Sequence, residues 1–152
     1  MNEYRGAHEH YDTFIVPTPP KKQQRDTLST ISALAELGVA PQRIHIILNW
    51  LEHGDEPHEV FRSLITWTEE QKLCPVPRAV VGYNELFSLL RDSQRTIAEL
   101  LADDTDYRAA MRATSDADEK LRMSRALAMR RLTAGVQEDL DVAWATLWEE
   151  AA

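Results

Sequence analysis

Three short stretches gather the side chains of this chain that could do chemistry. Thr18, Lys21 and Lys22 follow one apolar run. Asn49, His53, Asp55 and His58 follow a second, and Tyr83 and Asn84 follow a third. The carboxamide of Asn49 offers both a donor and an acceptor, which suits the Watson–Crick edge of adenine. The same residue also reads as a turn residue that ends a strand. Lys21 and Lys22 come directly after Pro19 and Pro20, at a predicted helix start where unpaired N–H groups favour anions. The simpler reading is a pair of solvated lysines. His53 and His58 flank a glycine and a proline, but zinc takes three or four ligands and no third strong donor is near, so no metal is expected. The sequence has no GxxxxGK[ST] loop, no GxSxG elbow and no HExxH pair, so no catalytic residue is assigned.

These stretches are chemically interesting because of what precedes each one. Thr13 to Val16 is apolar and β-branched, as in a buried strand, and Pro17 is expected to end it. A helix is predicted from about Lys21 or Lys22 to Leu37, with Leu28, Ile31, Leu34 and Ala35 on one stripe. Gly38 suits the left-handed position after a helix, and Pro41 prevents a restart. Ile44, Ile46, Ile47 and Leu48 form a strand apolar almost throughout, the pattern of a parallel strand covered on both faces, and Asn49 ends it. Pro57 to Glu70 reads as a second helix, and Ala79 to Val81 as a third strand closed by Gly82. Strand–helix–strand repeats of this kind are right-handed crossovers in a parallel sheet. In open sheets of this class ligands bind beyond the carboxyl ends of the strands, which is where all the residues named above fall.

After Gly82 the pattern is helical. Short helices are predicted over Asn84–Leu90, Thr96–Ala102 and Asp106–Ala113. Ser115 with Asp118 resembles a capping box that opens a helix to about Ala134, with Gly135 as its stop. On that helix Ala117, Leu121, Ala128 and Leu132 share one face, and Met123 and Leu127 lie roughly opposite. Apolar residues on two sides imply two contacts, with neighbours in the chain or with a partner. A final helix carries Val136, Leu140, Ala143, Trp144, Leu147, Trp148 and Ala151 on its apolar stripe. The expected class is α/β: a partial parallel three-stranded sheet with flanking helices over residues 1–83, then an all-helical extension over 84–152.

Composition narrows the function classes. At 152 residues, 43% hydrophobic and 28% charged, the chain can build a real core. No apolar run approaches the roughly 18 residues of a membrane span, and the polar lead-in of residues 1–10 has no signal-peptide core, so a cytoplasmic protein is expected. Cys74, the single cysteine, excludes an intrachain disulfide and reads as an inert thiol. A net charge of −8 disfavours nucleic acid except at a local basic patch. The one candidate is Lys120, Arg122, Arg125, Arg130 and Arg131. It follows Asp116, Asp118 and Glu119 on one helix, and is read as ordinary helix electrostatics or as a phosphate or DNA surface.

The segments YRGAHEHYDTFIVPTPPKKQQRDT and ALAELGVAPQRIHIILNWLE resemble the C-terminal half of the ParA/MinD-like P-loop ATPases. Within that superfamily the chain most resembles the plasmid stability StbB family, with looser similarity to the conjugal-transfer TraL proteins. The likeness runs from about Tyr4 to Trp144 and includes LLADDTDYRAAM and LAMRRLTAGVQEDLD. It implies a mainly parallel sheet and a role in plasmid stability, partition or transfer. It implies that Asn49 contacts adenine, with Gly82 and Tyr83 beside the base and Pro17 at a matching strand end. The family's phosphate loop, lysine and magnesium-binding aspartate have no counterpart here, so the chain is expected to be a truncated form without independent ATPase activity. ATP and magnesium are implied only if the missing half is present. A protein partner or a second copy is expected, as are an indirect association with plasmid DNA and no membrane contact.

Overall fold

The computed structural model describes residues 7–149. Most of the polar lead-in, the start of the resemblance at Tyr4, and Glu150 and Ala151 lie outside the described residues. Three strands, β1 (Phe14–Thr18), β2 (Ile44–Leu51) and β3 (Val80–Gly82), form one parallel sheet in the order β1-β2-β3. Between them lie α1 (Gln24–Glu36), then α2 (Pro57–Val60) and α3 (Arg62–Gln71). The α/β class and the flanking helices are as expected.

The strand order explains how the sheet is covered. Crossovers of one hand that step steadily in one direction put all their helices on one face. Ile31 of α1 and Leu64 and Ile65 of α3 accordingly share a core with Ile44, Ile46 and Leu48, the alternate residues of β2. The opposite face cannot be closed by a crossover. It is closed by the last turns of α7 (Ala117–Glu149), whose Ala143 and Leu147 pack with Ala79, Ile47 and Val81. β2 is therefore buried on both faces, which is why its sequence hardly alternates.

Several boundaries differ from expectation, each for a local reason. Pro17 does not end β1: the strand continues, with Pro17 opposite Ile47 and Thr18 opposite Leu48. β1 is a sheet edge, where a proline's missing N–H faces outward and breaks no ladder bond. Ile15 and Pro17 are exposed on it, so β1 is half-covered rather than buried. α1 begins after a 3₁₀ turn at Lys21–Gln23 and ends as predicted. Gly38 takes φ +85°, its N–H donates to Ala35 O at 2.9 Å, and Val39 N–H donates to Leu34 O at 3.1 Å, a Schellman closure. The single helix predicted over Pro57–Glu70 is broken at Phe61, which has φ −110° and ψ 19° and a fully buried ring.

Compactness divides the chain after Tyr83 and again before Asp141, so α7 contributes residues 117–140 to one unit and its last turns to the other. Residues 141–149 thus belong with the sheet rather than with a separate extension. The helical unit, residues 84–140, holds α4 (Leu86–Ser93), α5 (Ile97–Leu101) and α6 (Tyr107–Ala113) around a core of Leu86, Leu100, Met129 and Val136. Thr96 and Glu99 form a reciprocal capping box on α5.

Ser115 does not cap α7. Asp116 does, its Oδ1 accepting from the N–H groups of Asp118 and Glu119 at 2.8 and 3.2 Å. Gly135 does not stop the helix, because an interior glycine costs only about 1 kcal/mol and buried Thr133 and Val136 hold the turns on either side. The stripe assigned from sequence is also rotated. Ala117, Leu121 and Ala128 face outward, Met123 and Leu127 are half-buried, and Met129, Thr133 and Val136 carry the burial.

Candidate functional site

At the carboxyl end of the sheet the chain takes two uncommon backbone conformations. Lys21 has φ +69° and Trp50 has φ +63°. For a side chain with a Cβ the left-handed region costs of order 1–3 kcal/mol, and such residues concentrate at functional sites. At Trp50 the cause is visible in the ladder: Asn49 pairs with Val81 and Leu51 with Gly82, so Trp50 is the extra residue of a bulge. β2 therefore runs past Asn49 to Leu51 instead of ending there. The Asn49 Oδ1 accepts from Trp50 N–H at 2.8 Å, which fixes the bulge.

Both strained residues line one cleft of about 380 Å³, with Pro20, Gln24, Glu52 and Asp55. That volume is at the small end of the range for ligand pockets. Its wall is tied across the elements: Gln24 Nε2 donates to Val60 O at 3.2 Å, linking α1 to α2. Asp55 Oδ2 accepts from Glu52 N–H at 3.0 Å, with Gly54 at φ +93° completing the turn. Beside the cleft the ring of Trp50 meets that of Tyr83 edge-on, with centroids 6.0 Å apart. The two side chains are 60% and 56% exposed, so a planar ligand could stack on either ring. The charge balance is different from that of a phosphate site. Two carboxylates, Glu52 and Asp55, stand against one ammonium, Lys21.

The residues singled out from sequence thus divide. Asn49 lies two residues before the end of β2, opposite Val81, Gly82 ends β3, and Tyr83 N–H donates to Leu51 O at 2.7 Å; none of the three lines the cleft. A Cβ at Gly82 would come no closer than 3.6 Å to Leu51 O, so its backbone does not require glycine. Thr18 is fully buried and its hydroxyl bonds to that of Thr27 at 2.9 Å, so it holds α1 on β1 and is closed to a ligand. Asn84 accepts from Leu86 N–H and starts α4. His53 and His58 are exposed, and among the described residues no three metal-ligating side chains come together. Cys74 is buried. Among the described residues no helix is long and apolar enough to cross a membrane.

One feature went unread in the sequence, and a second was read only in part, through Arg130 and Arg131 of the basic run. His45 is 1% exposed, and neither ring nitrogen has a hydrogen-bond partner. Its ring lies 5.6 Å from that of Trp148. The signal for it was a lone polar residue inside RIHIIL. The second is a concavity of about 330 Å³ in the helical unit, lined by Asp106, Tyr107, Arg108, Leu127, Arg130 and Arg131. There the Arg130 guanidinium is held by Asp103 O at 3.0 Å and Thr105 O at 2.7 Å, and it lies 5.1 Å from the Tyr107 ring centroid. Behind it, Asp103 accepts from the Tyr107 hydroxyl, from Arg95 at 3.0 Å and from Thr105 N–H. These donors, the Tyr107 hydroxyl foremost, hold its carboxyl far below the usual carboxylate range. Comparison of the chain with protein families, curated proteins and solved structures finds no match.

Proposed function

We propose that this protein is a plasmid-maintenance accessory of the StbB type, acting in stability, partition or conjugative transfer in the cytoplasm without ATP hydrolysis of its own. The observation that carries the reading is that Asn49 of β2, Gly82 of β3 and Tyr83 lie together near the carboxyl edge of the sheet, beside the exposed ring of Trp50. These are the positions that the resemblance assigns to the adenine side. The cleft's charge supports the same division of labour. Phosphate is repelled by Glu52 and Asp55, while an uncharged base is not. ATP and magnesium would enter only together with a phosphate loop, which this sequence lacks. The working complex then involves a protein partner or second copy, and meets plasmid DNA indirectly.

Calorimetry with adenosine and with ATP plus magnesium tests the site, together with a phosphate-release assay. The reading expects weak binding of the base, lost in Asn49→Ala combined with Trp50→Ala, and no turnover. Turnover at P-loop rates, or binding that survives the double change, would sink it. Plasmid retention in cells lacking the protein tests the role: an unchanged loss rate argues against it.

A second reading is favoured by one observation. Val142 and Trp144 are 63% and 57% exposed near the end of α7, and the Trp144 and Trp148 rings meet with centroids 5.1 Å apart. Exposed aromatics of this size are typical interface anchors. On this reading the protein is an interaction module that docks through the helix end, and the sheet is its scaffold.

A further inference from the structure

We propose that the concavity between α6 and α7 is a binding site for a compact, multiply charged phosphate: pyrophosphate or the diphosphate group of a nucleotide. The argument starts from charge. The chain as a whole is acidic at −8, yet three guanidinium groups and one carboxylate line this cavity, leaving two positive charges uncompensated. Arg108 and Arg131 pair with no carboxylate among the described residues. The ion pairs found there use Arg62, Arg91 and Arg95 instead. The Asp106 carboxylate is already engaged as the α6 cap, its Oδ1 accepting from Ala109 N–H at 2.9 Å.

Preorganisation adds to charge. Two backbone carbonyls and an aromatic face fix Arg130, and one of its nitrogens, Nη1, makes both carbonyl bonds. Its remaining N–H groups have no partner among the described residues. A guanidinium fork fixed in this way meets phosphate oxygens with two parallel bonds, at little entropic cost to the side chain. Tyr107 is fixed in turn by its hydroxyl bond to Asp103. The volume, about 330 Å³, takes a diphosphate with its first waters and is too small to enclose a nucleic acid strand. The lining thus favours a compact polyvalent anion over an extended polyanion.

The test is calorimetric titration of the full chain with pyrophosphate, with sulfate and a twelve-nucleotide single strand as separate arms. The expected result is saturable one-to-one binding of pyrophosphate, tighter than that of sulfate. It should weaken by about tenfold or more in the double variant Arg108→Gln, Arg131→Gln. Both arginines are exposed, so the variant should keep the parent's unfolding midpoint. If it does not, the single variant Arg108→Gln and the salt dependence of the parent's binding carry the test. Binding should fall as salt rises, with a slope set by the contacts made. Absence of saturation, affinity equal to that of sulfate, or affinity unchanged in the variants would overturn the proposal. Tighter binding of the oligonucleotide, lost in the same variant, would overturn it in favour of a nucleic-acid backbone site.

Discussion

Replacing His45 by leucine should make the protein more stable. The imidazole is 1% exposed, and a neutral ring carries one donor and one acceptor, both without partners. Each buried polar group left unsatisfied costs about 1–3 kcal/mol, so the pair costs about 2–6 kcal/mol. Against removal stands the ring contact with Trp148 at 5.6 Å, worth about 0.5–1.5 kcal/mol. Fitting a branched side chain where a flat one lay adds a strain of about 1–3 kcal/mol in a packed site. The central expectation is a net gain of about 1–2 kcal/mol. For a chain of this length that corresponds to an unfolding midpoint higher by about 2–8 °C. Urea unfolding at neutral pH reads it directly, as a higher midpoint at an unchanged slope. A control, His45→Asn, keeps the unpaired polarity and loses the ring contact, and should be less stable than the parent. If His45→Leu instead unfolds at lower urea with the same slope, the nitrogens have partners in solution, and the reasoning about a dry, unpaired imidazole fails.

Gly135→Ala should raise stability by about 0.5–1 kcal/mol, because the residue is helical and a Cβ there meets nothing within 4 Å; a melting curve that falls instead would refute it. Asp103 has a folded-state pKa depressed below its ordinary 3.8, so its contribution is complete above about pH 4 and drains away as pH falls below that. Unfolding midpoints of the parent and Asp103→Asn should therefore converge on acidification, and a gap that stays constant down to pH 2 would contradict the linkage. Leu147→Ala should cost about 2–5 kcal/mol through a cavity under the sheet. Trp144→Ser should cost no more than about 0.5–1.5 kcal/mol, the worth of its ring contact with Trp148, while lowering any self-association seen by light scattering. Equal stability loss in the two variants would mean that Trp144 is buried in solution.

What could be read from the sequence is what short-range chemistry decides. Ile44, Ile46, Ile47 and Leu48 announce a strand because β-branched and apolar residues follow one another with little alternation. Gly38 announces a helix end because few residues other than glycine take its conformation cheaply. Gly135 carries the same letter and no such meaning, since the difference lies in Thr133 and Val136, which are held by a core that no local window contains. Pro17 misleads for a similar reason: its cost depends on whether a strand lies on its outer side, which is a property of the sheet. Asn49 and Tyr83 could be placed near the carboxyl edge of the sheet because each follows an apolar run, although β2 continues to Leu51 and neither residue lines the cleft. The bulge at Trp50 could not, because it arises from register against Val81 and Gly82. The arginine-lined cavity needs α6 laid against α7, and its residues are split between positions 106–108 and 127–131.

The closing of the sheet's second face by residues 141–149 has a consequence for biosynthesis. A ribosome delivers β1, β2 and β3 first, then the whole helical unit, and only then the turns that carry Ala143 and Leu147. The helical unit is thus an insertion in the sequence of the sheet unit. Until those turns emerge, Ile47 and Val81 have nothing from α7 to pack against, whereas the opposite core of Ile31, Phe61 and Leu64 can already assemble. The nascent chain therefore passes through a one-sided sheet with an open apolar face, the kind of intermediate that holdase chaperones recognise. A chain stalled just before residue 141 would remain in that state, lacking Ala143 and Leu147.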